Sequence, residues 1–131
     1  MLSLLLLQAC SRQAPVATLE VSYAGLPESE LRCAIATFAE SRGFRVSEAD
    51  VGTQPSSASQ FFYYLDYGDR HPVAAHNIGS EERLTIYIYS ESLEMNGRTV
   101  PLRSIFQQLS ETITAQSKRF KTDAAPASNC E

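Results

Sequence analysis

The side chains best equipped for acid–base or metal chemistry gather in one stretch of this chain, where Asp69, His71 and His76 fall between Gly68 and Glu82. A histidine pair beside a carboxylate can ligate zinc or relay protons. Here the two histidines are five apart with Pro72 between them, which matches no defined metal spacing, and a closed zinc site takes four ligands. The expectation is therefore a pair of solvated loop histidines and no metal. No GxSxG, SxxK, HExxH or GxGxxG pattern occurs, so no nucleophile elbow, zinc helix or phosphate-cradling loop is offered. Glu81-Glu82 lies at a turn beside a strand and reads as a solvated charged end. The chemistry-bearing residues thus predict a protein that is not an enzyme and uses no cofactor. An enzymatic alternative requires His71 or His76 to meet a carboxylate and a nucleophile.

The chain that must position these residues is 131 residues long, 44% hydrophobic and 20% charged, with six Gly and six Pro. That length supports one domain with its own core, and the composition excludes disordered and collagen-like chains. Eleven Lys and Arg against fifteen Asp and Glu give a formal charge of −4. Nucleic-acid binders and proteins held on anionic membranes normally carry a basic excess, so no nucleic-acid partner is expected.

The first residues, Met1-Leu2-Ser3-Leu4-Leu5-Leu6-Leu7-Gln8-Ala9-Cys10, form an uncharged run. It is well short of the ~20 apolar residues of a membrane-spanning helix and reads as the end of a secretory signal. Leu7-Gln8-Ala9-Cys10 resembles the lipobox of bacterial lipoproteins, with a leucine three positions before the cysteine and a small residue just before it. The resemblance covers ten residues. It implies that residues 1–9 are a signal peptide, one without the Lys or Arg that normally begins such a signal, and that Cys10 is the acylated first residue of the mature protein. Ser11 after the cysteine, rather than Asp, implies sorting to the outer membrane, with the domain on its periplasmic face and the lipid as the sole membrane contact.

Of three cysteines, lipidation of Cys10 leaves the pair Cys33 and Cys130. At 100° per residue Cys33 falls about 200° from Leu31, on the outward face of a predicted helix. Cys130 lies in a polar tail with no apolar pattern. A disulfide would tether that tail and stabilise by up to about 4–5 kcal/mol in the chain-entropy model. Two unpaired thiols in a reducing compartment are the alternative.

Hydrophobic periodicity gives the order β-α-β-β-β-α within residues 18–121, with 10–17 as a lipidated linker and 122–131 as the tethered tail. Thr18–Tyr23 alternates with period two; a helix from Pro27 to about Arg42 is stopped by Gly43; Phe44–Asp50 is a short strand. A Ser-, Gly- and Pro-rich loop covers Gly52–Ser59. The strongest strands are Gln60–Tyr67 and Arg83–Tyr89, which are expected to pair with each other across a long connection, Gly68–Glu82. Asn96-Gly97 marks a tight turn, and a last helix from Pro101 carries the stripe Leu102, Ile105, Phe106, Leu109 and Ile113. The expected fold is an α+β two-layer sandwich, a four-stranded mixed sheet with two helices on one face. At fold level this order resembles small α/β lipoproteins of outer-membrane assembly, among them the lipoprotein subunit of the lipopolysaccharide translocon.

If Leu84, Ile86 and Ile88 face the helices, then Tyr87 and Tyr89 face away, and Phe62 and Tyr64 join them when Tyr63 and Leu65 point inward. Phe62, Tyr64, Tyr87 and Tyr89 form the candidate binding surface, suited to protein, peptide or glycan recognition. Ordinary cross-strand pairing is the alternative. The leading expectation is a lipoprotein that binds an envelope protein as an assembly or accessory factor. A second is an immunity or inhibitor lipoprotein that plugs a secreted toxin with the acidic Gly68–Glu82 loop. A small envelope enzyme comes third.

Overall fold

A computed structural model describes residues 14–49, 60–79 and 82–123. Cys10, the expected signal segment, the expected loop Gly52–Ser59 and the expected tail with Cys130 lie outside these residues. Strand β1 (Ala17–Ser22) shows the alternation expected of it: Thr18, Glu20 and Ser22 are exposed, while Val21 is buried and Leu19 half-buried between them. Helix α1 (Glu28–Ser41) begins after Pro27, whose extended backbone leads into it, with Glu28 and Glu30 at its positive end. Leu31, Ile35, Phe38 and Ala39 make its buried stripe. Gly43 ends it at φ +86°, and the N–H groups of Gly43 and Phe44 return to the carbonyls of Glu40 and Ala39, the paired bonds of a Schellman cap.

Strand β2 (Arg45–Glu48) follows, then β3 (Phe62–Tyr67), β4 (Arg70–His76), β5 (Arg83–Ile88), the short strands β6 (Ser92–Met95) and β7 (Arg98–Pro101), and helix α2 (Leu102–Asp123). The sheet order is β1-β5-β4-β3-β2, antiparallel at every pairing, with β6 and β7 forming a separate two-stranded ribbon. The α+β class stands. Three finer expectations are corrected. The sheet has five strands, not four, and it is antiparallel, not mixed. The segment expected as a long loop contains β4, which is the middle strand of the sheet. Consequently β3 and β5 do not pair with each other; β4 lies between them.

Turn chemistry explains the missed elements. Strands β3 and β4 are joined by Gly68-Asp69 alone, with Gly68 at φ +62°, the sign a two-residue hairpin needs at its first central position. In the ribbon, Asn96 and Gly97 sit at φ +53° and +77°, both positive as a type I′ turn demands.

The core lies between the sheet and the helices. Leu65, Val73, Leu84, Ile86 and Ile88 project from the sheet onto Leu31 and Ile35 of α1 and Leu102, Leu109 and Ile113 of α2, all fully buried. Burial of each such side chain is worth about 1.5–3 kcal/mol. Helix α2 packs over β1 and β5, and α1 packs against α2 and β2. The entry to α2 is fixed by the Leu102 N–H on the Glu91 carbonyl and by Arg103 donating two hydrogen bonds to the Glu91 carboxylate. No helix among the described residues is long and apolar enough to cross a membrane.

Candidate functional site on the uncovered sheet face

Register decides which side chains share the face away from the helices. Ile86 is paired with Leu19 on one side and Ala75 on the other, and Ile88 with Ala17 and Val73, so these rows face the core. The alternate rows face outward: Tyr64–Ala74–Tyr87–Thr18 and Phe62–His76–Thr85–Glu20. Phe62, Tyr64, Tyr87 and Tyr89 are all half-buried, and the first three stand on this open face at the register positions expected of them. Tyr89 lies just past the end of β5, its N–H bonded to the Pro72 carbonyl.

The two histidines join these rings. From His71 the ring centroids run to Tyr64 at 4.8 Å, Phe62 at 5.2 Å, His76 at 5.1 Å, Tyr87 at 5.3 Å and Tyr89 at 6.2 Å, each distance measured from the preceding ring. All lie within the 4.5–7 Å range of attractive aromatic pairs. The six rings form one unbroken path that crosses β3, β4 and β5. Ala74 and Pro72 lie buried among them.

His71 reaches this face through a bulge. Between the pairs Leu65–Val73 and Tyr67–Arg70, strand β3 contributes one residue, Asp66, and β4 contributes two, His71 and Pro72. A bulge of this kind re-aims a side chain, and it also accommodates a proline that has no N–H for the ladder. His71 Nδ1 lies 2.6 Å from Asp66 Oδ1, and Ser47 donates to Asp66 Oδ2 at 2.7 Å. The Asp66 carboxylate, nearly buried, therefore accepts on both oxygens. With Asp66 as acceptor, Nδ1 of His71 carries a proton, and in the neutral ring Nε2 presents a lone pair.

His76 is held differently. Its Nδ1 accepts the Ile78 N–H at 3.1 Å, so Nε2 carries the proton and donates to the Tyr87 hydroxyl at 2.9 Å. Burial lowers its pKa below the ordinary 6.5. Beside it, buried Asn77 accepts from the Phe61 N–H and donates to the Tyr23 hydroxyl, locking that end of β4 in place.

The loop placement of the two histidines is thus corrected: both belong to the central strand and both have side-chain partners, His71 remaining exposed and His76 half-buried. The carboxylate beside His71 is that of Asp66. Asp66, Ser47 and Arg70 were missed. An acidic residue inside the aromatic run of β3, and a proline inside β4, were the available signals of a buried carboxylate and a bulge. No group of three or more His, Cys, Asp or Glu side chains suited to a metal ion occurs among the described residues. Cys33 is half-buried on α1, its Sγ 4.0 Å from Thr37 Oγ1; its expected partner Cys130 lies outside the described residues.

No family model, curated protein or solved structure matches this chain. Its function must be argued from the site.

Proposed function

We propose that this protein is a lipid-anchored protein of the outer membrane, carried on Cys10 at the periplasmic face, that works by binding an envelope protein through the open face of its sheet. The observation that carries the binding reading is the unbroken path of six rings on the face that neither helix covers. Tyrosine and histidine rings offer contact area with few rotatable bonds and a polar atom at the rim, which suits a surface wet when free and dry when occupied. The anchor rests on the resemblance of Leu7-Gln8-Ala9-Cys10 to a lipobox. Pairing of Cys33 with Cys130 belongs to the same export reading.

An enzymatic reading gains one observation, the Asp66–His71 pair, and lacks another. No hydroxyl or thiol among the described residues is hydrogen-bonded to His71 Nε2, and Ser47 spends its proton on Asp66. The pair orients the ring and leaves no activated nucleophile beside it among the described residues. An inhibitor reading loses its proposed plug, since Arg70–His76 is the middle strand of the sheet.

A photo-crosslinking amino acid placed at Tyr89, and separately at Glu111 on α2, tests the binding reading in intact cells. A discrete adduct from position 89 and none from position 111 is expected. An envelope component in that adduct supports assembly and a secreted toxin supports inhibition, whereas equal labelling from both positions contradicts use of the open face.

A further inference from the structure

A cleft of about 450 Å³ opens where the β3–β4 hairpin meets the chain leaving β5, lined by Asp69, Arg70, His71, Tyr89, Ser90 and Leu93. Both ends of the ring path, His71 and Tyr89, enter it, so cleft and rings form one continuous surface. We infer that this cleft receives the carboxyl terminus of a protein partner: its carboxylate on Arg70, its last backbone N–H on His71 Nε2, and the preceding residues over the rings. The inference rests on the protein-binding reading above and names the part of the partner that is bound.

Three features select that ligand. The Arg70 side chain is exposed and has no ion-pair or hydrogen-bond partner among the described residues, whereas Arg45 is engaged by the Gly68 carbonyl and Arg83 by Glu20. A planar guanidinium left open at a cleft matches a carboxylate bidentately. His71, its Nδ1 held on Asp66, offers in its neutral form an acceptor one residue away, which a carboxylate alone does not satisfy and an amide N–H does. A terminal residue carries both groups on adjacent bonds. Asp69 on the same rim offsets the charge of Arg70, which opposes an anion of two or more charges such as a phosphate monoester and tolerates a single carboxylate. Tyr89 and Leu93 supply apolar wall for the last side chain.

The test uses the full mature chain against a library of short random peptides with free carboxyl termini, and the same library amidated. Bound peptides are then measured singly against wild type, Arg70→Gln and the Tyr87→Ser/Tyr89→Ser double variant. Free acids should bind roughly tenfold or more tightly than their amides, the range for one charge-assisted pair. Arg70→Gln should bring the acids down to the amide level and leave the amides unchanged. The tyrosine variant should weaken both. Equal binding of acids and amides, or no peptide bound at all, overturns the inference. Loss on tyrosine substitution with no effect of Arg70→Gln overturns it while leaving the open-face reading intact; indifference to both sets of substitutions overturns both.

Discussion

At the scale of the residue, the open face is organised by two histidines held by opposite ring nitrogens. His71 donates from Nδ1 to Asp66, whereas His76 accepts on Nδ1 and donates from Nε2 to Tyr87. The His76 arrangement needs a neutral ring, because a proton on Nδ1 removes the acceptor of the Ile78 N–H, and burial disfavours the charge as well. In the unfolded chain the ring takes its proton near 6.5; in the folded protein it does so at lower pH. Between those values the unfolded chain holds more protons, so this group's stability is complete above 6.5 and is lost as pH falls through the folded value. Urea midpoints measured from neutral to mildly acidic pH should fall, and His76→Gln should flatten that slope. A slope unchanged in His76→Gln would place the acid sensitivity elsewhere.

At the scale of the element, the two faces of β5 make opposite predictions. Ile86 is fully buried and touches both layers, so Ile86→Ala should cost about 2–5 kcal/mol in chemical denaturation through lost burial and a cavity. Replacing Tyr87 and Tyr89 by Ser should cost only about 0.2–1 kcal/mol for each cross-strand pair lost. In the β6–β7 ribbon, Gly97 at φ +77° has nothing within 4 Å of an added Cβ, so Gly97→Ala carries backbone strain alone. A loss of about 1–2 kcal/mol in the same measurement is expected.

These elements also show what periodicity reads and what it misses. The stripe of α2, the alternation of β5 and the Asn96-Gly97 turn were legible because each repeats a spacing that geometry imposes. Strand β4 was hidden, since Arg-His-Pro-Val-Ala-Ala-His contains a proline and has two alanines where a strand usually shows branched residues. Its burial comes from both layers: Val73 and Ala75 sit under the helices and Ala74 among the outer rings, so no alternation survives in the sequence. The Asp66–His71 contact depends on a register shift between two strands, and a one-dimensional spacing cannot express it.

At the scale of the whole molecule, both helices pack on one side of the sheet, and the other side carries rings across β3, β4 and β5 with the Glu20–Arg83 ion pair toward its β1 edge. On the lipobox reading proposed above, an acyl chain at Cys10 would tether the domain to a membrane. Intact-mass measurement of the native protein should show the added lipid, with Cys10→Ala abolishing membrane fractionation. Non-reducing peptide mapping of the exported protein should recover Cys33 joined to Cys130, and a chain with both thiols alkylated would refute that bond.

The central claim is that the ring-lined face is where the partner sits. The most direct measurement is the affinity of the captured partner for wild type and for the folded Tyr87→Ser/Tyr89→Ser variant, with thermal melts recorded on both. The account predicts a melting temperature close to wild type and a Kd raised by roughly tenfold or more, the loss expected when aromatic anchors leave a binding surface. An unchanged Kd in a folded variant would contradict it.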